Sequence, residues 1–318
     1  MKENLLVIVG PTAVGKTDLS IEIALHFQGE IISGDSMQVY KGMDIGTAKI
    51  RVEEMKGIPH YLIDEFNPDY AFSVAEFQEI ATARISEINR RNHLPIIVGG
   101  TGLYIKSVTH QYQFSKASMN ESFRSEWYHY LEIYGKKALH QKLADIDLET
   151  AKKLHVNDVK RIIRALEVYY QTGKTMSQLL KEQQLKIPYH LLMIGLTMDR
   201  EKLYDRINRR VDLMLEQGLV EEVEKLLELG YDERYTSMQG IGYKEIISYL
   251  KGDLSLEEAV NQIKQGTRRF AKRQLSWFRQ MPEINWFDMT ERKEQVQKEI
   301  MEKISHHFAG KLIYLKNN

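Results

Sequence analysis

Residues 10–17 read Gly10-Pro11-Thr12-Ala13-Val14-Gly15-Lys16-Thr17, and this stretch decides the fold. It follows the apolar run Leu5–Val9 and opens a helical pattern at Asp18. Strand, loop and helix in that order are the context in which a GxxxxGK[ST] pattern holds phosphate. Its glycines let backbone N–H groups turn inward around a di- or triphosphate. Lys16 supplies a point charge, and the Thr17 hydroxyl suits a Mg²⁺ ligand. The loop leaves open which phosphate ester it holds, and whether that phosphate is hydrolysed, transferred or expelled.

The same alternation continues through the first 110 residues. Candidate strands are Leu5–Val9, Glu30–Ser33 and Pro95–Val98; candidate helices are Asp18–Phe27 and Val74–Arg91, the second opened by a Ser73-x-x-Glu76 capping box. Buried strands alternating with helices predict a parallel sheet covered on both faces, with ligands bound beyond the strands' carboxyl ends. Three loops leave those ends, at 10–17, 34–47 and 99–102. From about 116 to 187 the strand signal disappears, and amphipathic helices take over at Glu121–Tyr134, Lys136–Lys142 and Asp158–Tyr170, the last ended by Gly173. Apolar runs at Leu191–Leu196 and Ile284–Phe287 then predict two further strands. The expected organisation is an α/β core in 1–115 and 188–318, interrupted by an all-helical insertion at 116–187.

Bulk composition narrows the class. The 318 residues are 43% hydrophobic and 28% charged, ordinary values for a soluble protein with ample core. Formal net charge is zero, which argues against bulk attraction to nucleic acid but leaves room for local basic faces. Absence of cysteine excludes disulfides and Cys-based zinc sites. No apolar run approaches a membrane span, and Met-Lys-Glu-Asn ahead of a short strand does not read as a signal peptide, so the expected location is cytoplasmic.

Beyond the phosphate loop, the polar stretch after Ser33 places Asp35, Ser36, Met37 and Gln38 where they face it. Asp35 reads as a general base, as a group beside Mg²⁺, or as a turn former. Pro95–Gly102 matters for what it lacks. A nucleotide triphosphatase usually ends a nearby strand in a Mg²⁺-binding aspartate, whereas here the strand ends Gly99-Gly100-Thr101-Gly102. Two helices segregate positive charge: Lys160, Arg161 and Arg164 in one, and Arg268, Arg269, Lys272, Arg273 and Arg279 in the other. Like charges at i,i+4 cost a few tenths of a kcal/mol per pair, which a facing polyanion would offset. The apolar face of the second helix is expected to hold Phe270, Ala271, Leu275, Trp277 and Phe278.

In this order, GPTAVGKT at 10–17, ISGDSMQVYKGMDIGTAK at 32–49, LPIIVGGTGLYIK at 94–106, NDVKRIIRALEV at 157–168 and TRRFAKRQLSWFR at 267–279 closely resemble the tRNA dimethylallyltransferase (tRNA isopentenyltransferase) family. GIPHYLID at 57–64, FSVAEFQ at 72–78 and IGYKE at 241–245 extend the match over nearly the whole chain, in the compact bacterial form without a zinc finger. The resemblance implies a P-loop NTPase-like fold. It also implies transfer of a dimethylallyl group from its diphosphate to N6 of adenosine 37 beside the tRNA anticodon, with release of pyrophosphate. The implied cofactor is Mg²⁺, on Thr17 and either directly or indirectly on Asp35. The loop residues Gly10 to Thr17 would hold the donor's diphosphate, with Lys16, Thr17, Asp35 and Thr101 as catalytic groups. Asp35, Ser36, Met37 and Gln38 would grip the extruded adenosine. Thr101, Arg124, Lys160, Arg161, Arg164, Arg268, Arg269, Lys272 and Arg273 would contact the tRNA anticodon stem-loop. The implied partners are tRNA and dimethylallyl diphosphate, with no membrane and no obligate protein partner, and a monomer as the expected state. Three readings compete: prenylation of a free adenine nucleotide, a small-molecule or nucleotide kinase using the same loop for ATP, and a non-catalytic RNA-binding protein with a nucleotide-gated fold.

Overall fold

The structure is a computed structural model that describes residues 2–115 and 117–309. The expected segment ends at Met1, Lys116 and Asn318 lie outside the described residues. Its strands are β1 (Asn4–Val9), β2 (Gly29–Ser33), β3 (His60–Tyr61), β4 (Leu94–Gly99), β5 (His190–Thr197) and β6 (Ile284–Asp288). They form one sheet in the order β3-β2-β4-β1-β5-β6, and every pairing is parallel. Central β1 is in register with β4 at Leu6–Ile96 and with β5 at Leu6–Leu192. Five of the six strands follow the apolar runs read from the sequence. The exception is the two-residue edge strand β3, too short and too polar to signal itself.

The helices of the core are α1 (Lys16–Phe27), α2 (Val74–Arg90) and α3 (Gly102–Thr109), and, later in the chain, α8 (Arg200–Glu216), α9 (Leu219–Glu228), α10 (Tyr243–Leu250), α11 (Leu256–Phe278) and α12 (Lys293–His307). Between them lie α4 (Glu121–Ile146), α5 (Leu148–Lys153), α6 (Val159–Thr172) and α7 (Met176–Glu182). The Ser73–Glu76 capping box that starts α2 is formed in full. The two helices expected on either side of Gly135 are both within α4, which is broken at that glycine by a non-helical φ of 78°.

Alternation along β1 divides the core in two. Leu5, Val7 and Val9 join Phe77, Ala81 and Ile85 of α2 on one face of the sheet. Leu6 and Ile8 join Leu19, Ile23 and Phe27 of α1 with Ile300 and Ile304 of α12 on the other. A strand buried on both faces has to be apolar at every position, hence the uninterrupted Leu5–Val9 run. Each aliphatic side chain buried there stabilises the fold by about 1.5–3 kcal/mol.

By its internal contacts the chain divides into two compact units, Tyr112–Lys186 and the chain before and after it. The helical unit has its own small core, built from Leu139 and Leu143 of α4, Ala151 of α5, and Ile162, Ile163 and Leu166 of α6. Among the described residues, no helix is long and apolar enough to cross a membrane.

Candidate active site

The phosphate loop closes on α1 through Gly15, which caps that helix in the left-handed region at φ 105°. A side chain with a Cβ is strained in that conformation, whereas glycine adopts it freely and leaves the first helical N–H groups open. Lys16 folds back over the loop, its Nζ donating to the carbonyl oxygens of Gly10 at 3.0 Å and Pro11 at 2.8 Å. Burial pushes the Lys16 ammonium down to about 8; Arg210 pushes it the same way and Asp35 opposes them. Arg210 of α8 is also held below the usual guanidinium value, by burial and by Arg206, again with Asp35 opposing. Lys16, Arg206 and Arg210 line one cleft of about 300 Å³ together with Ala13, Gly15 and Thr17. The cleft also carries Lys49, paired with Asp44 and Asp64, and the exposed carboxylates of Asp18 and Glu54. Lys16 and Arg210 are partly withdrawn from water, and positive charge held there is unfavourable until an anion joins it, so the arrangement can take a multiply charged anion.

Asp35 lies in a second cavity, of about 390 Å³, that shares Arg210 and Ala48 with the anion cleft. Its polar wall carries Thr12, Asp35, Ser36 and Arg273; its apolar wall carries Met37, Ile207, Val211, Met214 and Phe270. Asp35 Oδ1 accepts the Met37 amide at 2.9 Å. The turn-forming reading is therefore realised, and it uses Oδ1. Two of the three strand-end loops are tied together here: the Ser36 amide donates to Thr101 Oγ1 at 3.3 Å, joining the loop after β2 to the loop after β4.

The 38–49 segment is held by Gln38 and by two side chains that the sequence reading did not single out, Glu222 and Tyr243. Gln38 is engaged within its own loop, accepting from Ser33 Oγ at 3.0 Å and donating to the carbonyls of Thr47 at 3.2 Å and Ala48 at 3.4 Å. Glu222 of α9 accepts three successive amides, Asp44 at 3.0 Å, Ile45 at 2.7 Å and Gly46 at 3.1 Å, and the Tyr243 hydroxyl at 2.7 Å. Burial, and then the Glu222 charge, push the Tyr243 phenol well above its ordinary value. Ala48 and Thr47 of the pinned segment line the larger cavity.

The glycines after β4 serve close approach. A Cβ on Gly99 would lie 2.3 Å from the Gly34 carbonyl oxygen, and one on Gly100 would lie 1.9 Å from Gln274 Nε2. Gln274, on α11, accepts the Thr12 amide at 2.9 Å and donates to the Gly100 carbonyl at 3.1 Å. Trp277 packs on Gly102 yet is 40% exposed, so it is less buried than its place on the expected apolar face of the helix implied.

Lys16, Thr17, Asp35, Ser36, Met37, Gln38, Thr101 and Arg273 are thus gathered around the two cavities or their tying contacts. On α11, Arg269, Lys272 and Arg273 are exposed, whereas Arg268 donates to Asn208 Oδ1 at 2.6 Å. In the helical unit, Lys160 and Arg161 are exposed. Arg124 and Arg164 are instead held on the fully buried Glu167 at 2.9 and 2.5 Å. Burial alone would raise the Glu167 carboxyl, but the Arg124 guanidinium, the Asn120 amide and Arg164 together hold it below the usual range. Arg206, Arg210, Glu222, Tyr243 and Gln274 escaped the sequence reading. Arg206 and Arg210 are a like-charge pair at i,i+4, the same signal that marked α11, hidden by the acids around them in α8.

The family model described as IPP transferase matches residues 38–281. A tRNA dimethylallyltransferase of Anoxybacillus flavithermus is 51% identical over 317 residues, covering 100% of both chains. One of Halalkalibacterium halodurans is 52% identical over 313 residues, covering 98% of each. Among solved structures, a full-length tRNA isopentenylpyrophosphate transferase from Bacillus halodurans is similar with a TM-score of 0.74 at 49% identity, covering 98% of each chain. A eukaryotic dimethylallyltransferase acting on tRNA is similar with a TM-score of 0.83 at 31% identity, covering 99% of this chain and 81% of that one.

Proposed function

The chain belongs to the IPP transferase family, and on that premise we propose that it transfers a dimethylallyl group from dimethylallyl diphosphate to N6 of adenosine 37 of tRNA, releasing pyrophosphate. The observation that carries this reading is the pairing of the two cavities. A cleft with four cations, Lys16, Lys49, Arg206 and Arg210, against the two carboxylates of Asp18 and Glu54 adjoins a chamber with one carboxylate and an apolar wall, and Arg210 borders both. A prenyl diphosphate has that same division, a polyanionic head on an apolar tail.

In the reaction, the allylic C–O bond of the donor breaks, and its electron pair leaves on pyrophosphate. The N6 lone pair forms the new C–N bond, and N6 loses a proton. Lys16, Arg206, Arg210 and the loop amides stabilise the charge that grows on the departing diphosphate. The Thr101 hydroxyl, which accepts from Ser36, keeps its own proton available to donate at the same side. An exocyclic adenine amine is a weak nucleophile, so the Asp35 carboxylate accepts its proton as the bond forms. The apolar wall around Met37, Val211 and Met214 excludes water from the allylic carbon. The adenine leaves its stack in the anticodon loop to reach the chamber, which costs a few kcal/mol.

Mg²⁺ is the proposed cofactor. Among the described residues there is no group of three or more acidic, histidine or cysteine side chains arranged to hold a metal ion. The cleft offers the Thr17 hydroxyl, with Asp35 in the adjoining chamber. That donor set fits Mg²⁺, which keeps several waters and is held largely by substrate phosphates. When bound it neutralises charge on the diphosphate. Exposed Lys160 and Arg161 of the helical unit, and Arg269, Lys272 and Arg273 of α11, are proposed to hold tRNA phosphates.

The test supplies the protein with Mg²⁺, dimethylallyl diphosphate and unmodified tRNA, followed by nucleoside digestion and mass analysis. Prenylated adenosine in the anticodon loop is expected. Product from AMP with none from tRNA would sink the tRNA reading in favour of a free-nucleotide acceptor.

A further inference from the structure

Gln274 is a glutamine 5% exposed near the C-terminal end of α11, directly after the exposed cations Lys272 and Arg273. Its two hydrogen bonds have opposite polarity. Oε1 accepts the Thr12 N–H, which can only donate, and Nε2 donates to the Gly100 carbonyl, which can only accept. The orientation of the amide is therefore forced by its partners. A carboxylate at this position would lose the donor, and an ammonium would lose the acceptor.

The two partners belong to two different catalytic loops. Thr12 sits in the phosphate loop, and its hydroxyl is approached by Arg210 at 3.4 Å. Gly100 directly precedes Thr101, whose hydroxyl takes the Ser36 amide. One buried side chain thus spans from the cradle of the diphosphate to the turn that carries Thr101. Gly100 does not need glycine for its backbone conformation, since it lies outside the left-handed region. It needs glycine because a Cβ would fall 1.9 Å from Gln274 Nε2. Sequence and geometry therefore agree on a contact made at backbone range from both sides.

We propose that Gln274 is a positioning residue for the transfer reaction, its amide fixing the spacing between the phosphate loop and the Gly100–Thr101 turn. This rests on the reading that the loop holds the donor's diphosphate. Misplacing a reacting group by about 1 Å costs on the order of 10²-fold in rate, so a strap of this kind governs turnover without touching substrate.

Gln274→Met keeps the length of the side chain and removes both hydrogen bonds. It is expected to weaken binding of inorganic pyrophosphate by about tenfold and to lower kcat on the order of 10²-fold. The Kd for tRNA is expected to stay close to that of the parent, which a general packing defect would not allow, while the Tm falls because the Thr12 N–H and the Gly100 carbonyl lose their partner. Gly100→Ala attacks the strap from its other end, and its loss in kcat is expected to match that of Gln274→Ala. The double variant is expected to be no worse than Gln274→Ala alone, because the new methyl group then has nothing to strike. Should Gln274→Met not fold, this cycle decides the matter. Unchanged pyrophosphate affinity and kcat in Gln274→Met, or losses that multiply in the double variant, would overturn the proposal. The pyrophosphate arm is independent of the acceptor. Weakened pyrophosphate binding alongside a parent protein that transfers no prenyl group would keep the strap and remove the prenyl reading instead.

Discussion

The two units handle positive charge in opposite ways. In the helical unit the cations have acids at hand: Arg124 and Arg164 share Glu167, Lys153 and Lys181 share Glu149, and Lys174 meets Glu182. Around the strand ends of the core, Lys16, Arg206, Arg210, Arg269, Lys272 and Arg273 form no ion pair among the described residues, although the exposed carboxylates of Asp18 and Glu54 line the anion cleft and Asp35 lines the chamber beside it. In sequence the helices α6 and α11 look alike, each with a stripe of Lys and Arg. The difference lies in the buried polar residue that each helix itself carries: Glu167, a carboxylate, in α6 and Gln274, a neutral amide, in α11. A matched cation holds a fold together, whereas an unmatched one is held in readiness for an anion from outside.

The largest effect is expected where that comparison hinges on a single acid. Asp35→Ala should lower kcat on the order of 10³-fold, the usual reach of a general base, while tRNA affinity stays within a few-fold. A fully active variant would remove Asp35 as the proton acceptor.

Next comes charge reversal on the unmatched stripe. Arg269→Glu with Lys272→Glu should weaken tRNA binding about thirtyfold at moderate salt, at on the order of 1 kcal/mol per lost contact, and reduce the log–log salt slope by about 1.5. A titration with the parent's slope would show that this face is only solvated.

A smaller effect should appear in the pH dependence. Lys16 is held near 8 in the folded protein against 10.5 for its ordinary value. The buried charge therefore weighs against stability below about pH 8, and that penalty fades as pH rises toward the unfolded value. For function the sign is reversed, since the free protein loses its cation above pH 8. Relative to its plateau, kcat/KM for the prenyl diphosphate should be about tenfold lower at pH 9. The bound anion restores the Lys16 proton, so kcat should change less. A kcat/KM profile flat through pH 9 would show that Lys16 does not bind as a cation.

The smallest effect on turnover belongs to the matched side. Glu167→Gln leaves two guanidinium groups short of their anion and should cost about 2 kcal/mol, visible as a lowered Tm of the full chain. Acid should do the same to the parent, because a carboxyl held below its ordinary value contributes stability at neutral pH and loses it as pH falls through the folded value. Turnover below the transition should remain within about twofold. A large loss of turnover with an unchanged Tm would show that Glu167 serves the reaction directly.

Local signals carried a great deal of this. The phosphate loop, the apolar strands and the capping box at Ser73 are fixed by residues adjacent in the chain, so the α/β core and its loop-bearing edge could be read without coordinates. Lys16 and Thr17 lie in the anion cleft, and Asp35 in the chamber beside it. What escaped reading depends on contacts far apart in sequence. Glu222 reaches the amides of 44–46 across 176 to 178 residues, and Gln274 reaches Thr12 across 262. Nothing local distinguishes these two side chains from solvent-facing Glu and Gln on other helices.

The sequence by itself determined five of the six strands, the place of the Gly-rich loop between β1 and α1, and which helices carry positive stripes. All three follow from period, turn chemistry and charge within a few residues. Only the tertiary structure decided which cations are neutralised from within and which stay unmatched. Glu167 is only three residues from Arg164 on α6, but its complete burial and its second pair, with Arg124 of α4, are settled by how the helices pack. That is why the arginines of α6 proved partly structural, while those of α8, unremarked in the sequence, complete the cleft that Lys16 begins.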